Sequence, residues 1–179
     1  MNPALNLILV GPMGAGKSAI GKRLAERFGL RFIDLDAAIE LATGVPVTAI
    51  FEREGEAGFR EREARQLAVE LEGENKLIAT GGGAVLRDDS RLLMRQHGYV
   101  LHLAVSVEEQ LKRLANDRVR PLLQRPDREQ MLRTMAATRA PLYDEVADLR
   151  FDSSGLTPAQ ACERLVPQLR EHWLRAMAA

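Results

Sequence analysis

Gly11-Pro12-Met13-Gly14-Ala15-Gly16-Lys17-Ser18 fits the pattern G-x-x-x-x-G-K-[ST] at every fixed position. Its flanks decide the fold. Before it, Leu5-Asn6-Leu7-Ile8-Leu9-Val10 is a nearly continuous apolar run, the pattern of a parallel strand buried on both faces. After it, Ser18 to about Phe28 reads as a helix, with Ile20, Leu24 and Phe28 at four-residue spacing. Strand, glycine loop and helix aim backbone N–H groups and a helix N-terminus at one spot, which suits a polyphosphate. Lys17 can then reach the β- and γ-phosphates, and the Ser18 hydroxyl can ligate Mg²⁺. The chain binds a nucleoside triphosphate.

Length and composition narrow the rest. At 179 residues the chain fits one α/β domain spanning 1–179. A hydrophobic share of 46% is enough for a core, and no segment approaches the roughly 20 apolar residues of a membrane span. The first apolar stretch runs straight into the glycine loop, so it does not read as a signal peptide. Cys162 is the only cysteine, which rules out an intrachain disulfide and fits a cytoplasmic protein. Twenty-five basic residues balance twenty-five acidic ones, against a broad nucleic-acid footprint. The expected partners are small molecules, with no nucleic acid and no membrane, and the expected state is a monomer.

Short apolar strands alternate with amphipathic helical stretches. Strands are expected at Leu5–Val10, Arg31–Asp34, Leu77–Ala79, Tyr99–Leu103 and Leu149–Phe151. Ser106 with Glu109, and Thr157-Pro158 with Gln160, make two capping boxes. Cys162, Leu165, Val166, Leu169 and Trp173 form an apolar stripe on the last helix, in which Pro167 should introduce a kink. This βαβ rhythm implies a parallel sheet with helices on both faces and ligands at the carboxyl ends of the strands.

Several residues fall where chemistry belongs. Asp34 and Asp36 close the second strand, and in extended backbone residues two apart share a face. One carboxylate can hold Mg²⁺ through water while the other orients or deprotonates a substrate hydroxyl. The plainer reading makes Asp36 the cap of a helix beginning near Ala37. Thr80-Gly81-Gly82-Gly83 ends the third strand and lets another molecule approach the backbone closely. Arg60 follows Gly58-Phe59 at the start of a helix to about Glu72, where Glu63 can hold its guanidinium. Alone, Arg60 reads as a surface ion-pair member, and Arg139 before Pro141-Leu142-Tyr143 is unremarkable. Lys112 to Arg128 carries six basic residues against two acidic ones, with Pro121 and Pro126. Such a stretch fits a mobile lid over transferring phosphate, a solvated helix and loop, or a small RNA-contacting patch.

Taken together, the glycine loop, Asp34/Asp36, Gly58-Phe59-Arg60, Thr80-Gly81-Gly82-Gly83, Arg120-Pro121-Leu122-Leu123 and Arg139-Ala140-Pro141-Leu142-Tyr143 resemble the shikimate kinase family in order and spacing. The resemblance covers essentially the whole chain. It implies a nucleoside-monophosphate-kinase-like, three-layer α/β/α P-loop fold, with a five-stranded parallel sheet ordered 2-3-1-4-5. A substrate region at about 34–62 and a lid at about 112–126 come with it. The implied reaction moves the ATP γ-phosphoryl group to the 3-hydroxyl of shikimate, on the route to chorismate and the aromatic amino acids. By position, Asp36, Arg60, Gly82 and Arg139 would bind shikimate, with Gly81 and Gly83 beside them. Phe51, Phe59 and Pro121 would wall its ring. Asp34 would support Mg²⁺ alongside Ser18. ATP would lie on Gly14, Ala15, Gly16, Lys17, Ser18 and Ala19, with Arg113 against the adenine and Arg120 on the γ-phosphate. The catalytic set would be Lys17, Asp36 and Arg120.

Two stretches depart from that pattern: Ala19 stands where relatives often have threonine, and Asp152-Ser153-Ser154-Gly155-Leu156 offers no assignable adenine contact. The rival readings are another small-molecule kinase, of gluconate or nucleoside-monophosphate type, and a non-catalytic nucleotide switch. Against a switch, the chain has no N-K-x-D sequence.

Overall fold

A computed structural model describes residues 4–117 and 126–173. The first strand, β1, covers Leu7–Val10, and all four residues are fully buried. It starts two residues later than the apolar run because Asn6 leaves the ladder pattern. The Asn6 amide donates to the carbonyls of Gly73 and His97 and accepts from the N–H of Lys76, tying three chain segments at the amino edge of the sheet.

Helix α1 (Lys17–Phe28) leads into β2 (Arg31–Asp34), α2 (Leu35–Thr43) and the long α3 (Val47–Leu71). Then follow β3 (Lys76–Ala79), a 3₁₀ turn at Ala84–Leu86, α4 (Asp88–His97), β4 (Tyr99–Ala104) and α5 (Val107–Arg113). The described chain closes with α6 (Arg128–Val146), β5 (Leu149–Asp152) and α7 (Pro158–His172). The five strands are parallel in the order β2-β3-β1-β4-β5, as the family resemblance implies. Side chains alternate across β1. Leu7 and Leu9 join a core with α1 and α7, whereas Ile8 and Val10 join one with α2, α3, α4 and α6. Two helical layers therefore sandwich the sheet.

The helix expected at Arg60 is present: α3 is broken at Gly55, whose φ of 69° and ψ of −174° leave the helical region, so the stretch that carries Arg60 starts just past that residue and ends at Leu71. Arg60 lies in the second half, where Phe59, Glu63, Leu67 and Leu71 form the buried face. Helix α7 carries Pro167 inside its span from Pro158 to His172, with its stripe buried against α1 and the sheet. Asp36 is not on a strand, because β2 ends at Asp34 and Leu35 opens α2. Of the expected lid, Arg120 and Pro121 lie outside the described residues. Among the described residues, no helix is long and apolar enough to cross a membrane.

Candidate active site

The sheet order reverses direction at β1, between β3 and β4, and the crevice at such a reversal is where open α/β sheets take ligands. The glycine loop crosses it. Gly16 takes a φ of 90°, a conformation that side chains disfavour, and delivers the chain into α1. Lys17 donates to the carbonyls of Gly11 (2.7 Å) and Pro12 (2.8 Å), which places the ammonium inside the loop's curve.

From outside, three side chains grip the next three carbonyls. Gln110 donates to Met13 (2.8 Å), Arg113 to Gly14 (2.9 Å) and Ser153 to Ala15 (3.0 Å). A planar trans peptide points its N–H opposite its carbonyl, so these anchors set which way the loop's amides face. Arg113 also donates to the carbonyls of Ser153 and Leu156 and pairs with Glu109. It thus straps the phosphate loop to the 152–156 turn, the stretch for which sequence reading found no role. Neither Gln110 nor Ser153 belongs to a recognisable motif.

Asp34 has two tasks. One carboxylate oxygen accepts from the N–H groups of Asp36 and Ala37, making Asp34 rather than Asp36 the cap of α2. The other accepts from the Ser18 hydroxyl at 2.7 Å. A hydroxyl and a carboxylate side by side form a hard oxygen set that fits Mg²⁺, an ion that keeps several waters and shares phosphate oxygens. Asp36 sits in the first turn of α2. Asp34 and Asp36 thus lie at one corner as the cap and the first turn of a helix, not on one face of a strand.

The glycine turn after β3 faces this corner. A Cβ on Gly81 would come within 2.5 Å of the Glu63 carboxylate and 3.5 Å of Asp36, and one on Gly83 would overlap the Arg60 guanidinium. Small residues are required there by two charged neighbours. Arg60 pairs with Glu63 at 2.5 Å, with only 14% and 3% of the side chains exposed, so it is no surface ion pair. Removing one member of a buried pair costs about 3–5 kcal/mol. Burial pushes the Glu63 carboxyl up, Arg60 opposes this, the negative charge of Asp36 adds to it, and Arg139 opposes it. Asp36, Arg60, Glu63 and Arg139 are thus brought together although they come from α2, α3 and α6. Phe51 stacks on Phe59 at 4.4 Å, with the Arg60 guanidinium 5.1 Å from the Phe59 ring centre. A small cavity between the phosphate loop and α6 is lined by Pro12, Met13, Gln110, Leu132, Arg139 and Tyr143.

Behind the site lies His102, buried on β4 with Nδ1 2.9 Å from the Asp144 carboxylate. A histidine inside the apolar run Tyr99-Val100-Leu101-His102-Leu103 was its sequence signal. Burial pushes the imidazole below its usual range, and Asp144 only partly opposes this. The unfolded chain therefore binds this proton more readily than the folded one, so its contribution is complete above about pH 6.5 and is lost as pH falls below that. In thermal melts from pH 8 to 5, wild type should lose ground to His102→Phe on the acid side. A difference independent of pH would contradict this assignment.

Comparison with known proteins adds names to this geometry. A family model described as shikimate kinase matches residues 13–170. A shikimate kinase of Stenotrophomonas maltophilia (strain R551-3) is 57% identical over 175 residues, covering 98% of this chain and 97% of that one. The structure of a shikimate kinase from Acinetobacter baumannii in complex with shikimate superposes with a TM-score of 0.91 at 40% identity, covering 96% of each chain. A gluconokinase from Sinorhizobium meliloti 1021 reaches a TM-score of 0.59 at 18% identity over 94% of this chain and 93% of that one, a likeness of fold alone.

Proposed function

The chain belongs to the shikimate kinase family, and from that premise we infer that it transfers the γ-phosphoryl group of ATP to the 3-hydroxyl of shikimate. The observation that carries the reading is the convergence of Asp36, Arg60 and Arg139 on a glycine turn that faces the phosphate loop. Shikimate is a small ring with one carboxylate and three hydroxyls. Guanidinium forks suit the carboxylate, an aspartate suits a hydroxyl, and the glycine turn admits the ring closely. Phe51 and Phe59 supply an apolar wall.

In the reaction the 3-oxygen forms a bond to the γ-phosphorus, the bond from that phosphorus to the bridging oxygen of ADP breaks, and the hydroxyl proton leaves. Asp36 is assigned to orient that hydroxyl and accept its proton, Lys17 to neutralise the β/γ-phosphates, and the amides of residues 14–19 to hold the polyphosphate. Ser18 and Asp34 would hold Mg²⁺, which when bound would supply charge neutralisation to the triphosphate. Arg120 is assigned to the γ-phosphate and Arg113 to the edge of the adenine pocket, on the strength of the family pattern and of the Arg113 strap. On the same reading the enzyme acts as a cytoplasmic monomer on two small molecules.

An ADP-release assay across shikimate, gluconate and nucleoside monophosphates tests the reading: ADP should appear rapidly with shikimate alone. Arg139→Lys sharpens it. Lysine keeps the charge but not the two-pronged contact, so kcat/KM for shikimate should fall about 10- to 100-fold. A neutral amide of shikimate should be a poor acceptor for wild type, and the mutation should add little further loss. Equal losses with acid and amide would remove Arg139 from the carboxylate.

A further inference from the structure

Tyr143 ends the sequence Arg139-Ala140-Pro141-Leu142-Tyr143, and no role has yet been assigned to it. It lies on α6 with 2% of its surface exposed. Its hydroxyl donates to the Gly82 carbonyl at 2.5 Å, the middle residue of the glycine turn. Arg139, one helical turn earlier, lines the same small cavity as Tyr143, and its positive charge acts on the phenol. A phenol has one O–H to give and lone pairs with which to accept, so the hydroxyl that donates to Gly82 keeps lone pairs that can accept from a cation. The ring is fixed from behind by His102, with ring centres 5.0 Å apart.

The position of Gly82 makes this contact consequential. A Cβ on Gly82 would lie 3.6 Å from the Gly11 carbonyl, the Met13 N–H nitrogen and the Tyr143 hydroxyl alike. Gly82 is therefore the point where the acceptor turn meets the phosphate loop. Holding its carbonyl toward Tyr143 turns the N–H of Gly83 the other way, because the peptide is planar and trans.

We propose that Tyr143 is a positioning residue for the acceptor half of the site, setting the Gly82–Gly83 peptide and the Arg139 guanidinium in the arrangement that receives a carboxylated polyol. The proposal rests on the reading of shikimate as acceptor. It assigns to Tyr143 no contact with the reacting atoms.

The test uses the full chain, with shikimate and ATP varied separately and folding followed by thermal melts. Tyr143→Phe keeps the ring against His102 and removes only the hydroxyl. The KM for shikimate should rise about tenfold, the scale of one lost hydrogen bond in a buried site, while the KM for ATP stays unchanged within error. Placing 4-aminophenylalanine at 143 restores a donor on the same ring and should bring the shikimate KM back toward wild type. An unchanged shikimate KM in a folded Tyr143→Phe, a parallel rise for both substrates, or no rescue by the amine would each overturn the proposal. Should Tyr143→Phe not fold, 4-fluorophenylalanine at 143 takes its place, filling the hydroxyl's space with a group that cannot donate: a tenfold rise in the shikimate KM upholds the role and an unchanged value ends it. Wild type that fails to phosphorylate shikimate would instead overturn the acceptor reading itself, before any variant is compared.

Discussion

Lys17→Ala is expected to lower turnover by about 10²- to 10³-fold, the range seen when one preorganised charge-stabilising group is removed from a transition state. The geometry explains why so much rests on one side chain. Its ammonium is held within the loop by the carbonyls of Gly11 and Pro12, so it is in place before the triphosphate arrives. Phosphoryl transfer asks the protein mainly for positioning and charge neutralisation, and alanine supplies neither. The loop itself should survive. Its carbonyls at Met13, Gly14 and Ala15 are gripped by Gln110, Arg113 and Ser153 rather than by Lys17, and alanine is the best helix former at the start of α1. Thermal melts should therefore stay close to wild type while ADP release collapses. Near-normal turnover by a folded variant would show that the triphosphate does not sit on this loop.

Much of this architecture could be read from residue pattern alone, for identifiable reasons. Parallel strands buried on both faces leave continuous apolar runs, and Leu7 to Val10 shows the consequence, with every residue fully buried. The capping signatures are local: Thr157 with Gln160 forms the full capping box, whereas Ser106 caps α5 through the Glu109 N–H alone, the Glu109 carboxylate pairing with Arg113 instead. What could not be read depends on where the chain turns. The step from β2 to α2 falls between Asp34 and Leu35, and a period-2 pattern carried past that step puts Asp36 on a strand. Gly55 breaks α3, so a separate helical stretch from Val47 precedes the one that carries Arg60, and no apolar period announces it.

The supports of the site are harder still to see in sequence. Gln110, Arg113 and Ser153 reach the phosphate loop across 97, 99 and 138 residues of chain. Such pairings become visible only when the fold has brought α5 and the residue after β5 beside the phosphate loop. The glycine turn shows the same limit from the other side. Three glycines announce close approach, but only the fold reveals that the approaching groups include the Glu63 carboxylate and the Arg60 guanidinium.

Asp36→Asn is expected to lower kcat by about 10²-fold or more, at the lower end of what a positioned acid–base group contributes, with ATP affinity almost unchanged. Asparagine preserves size and can still accept a hydrogen bond, so what disappears is the negative charge. That charge has two jobs in this corner. On the proposed reading it offers the acceptor hydroxyl a strong, proton-taking partner, and it acts on Glu63, whose carboxyl is held up by burial and further by Asp36. Removing it should let the Glu63 carboxyl drop and strengthen its hold on Arg60, so shikimate binding should change less than turnover. The folding cost should be modest, because an acidic side chain in the first turn of a helix contributes only about 0.3–1 kcal/mol. Asp34, not Asp36, caps α2 and bonds Ser18, and the proposed reading assigns the two carboxylates to different substrates. Titration calorimetry with ATP and Mg²⁺ separates them: Asp36→Asn should bind like wild type, whereas Asp34→Asn should bind more weakly. If the Asp36 variant loses nucleotide affinity as steeply as turnover, Asp36 belongs to the metal and not to the acceptor. The pH profile then distinguishes base from anchor. Loss of the acid limb of kcat in Asp36→Asn marks a group that takes the proton, and an unchanged limb with a uniformly lower rate marks one that only orients the hydroxyl.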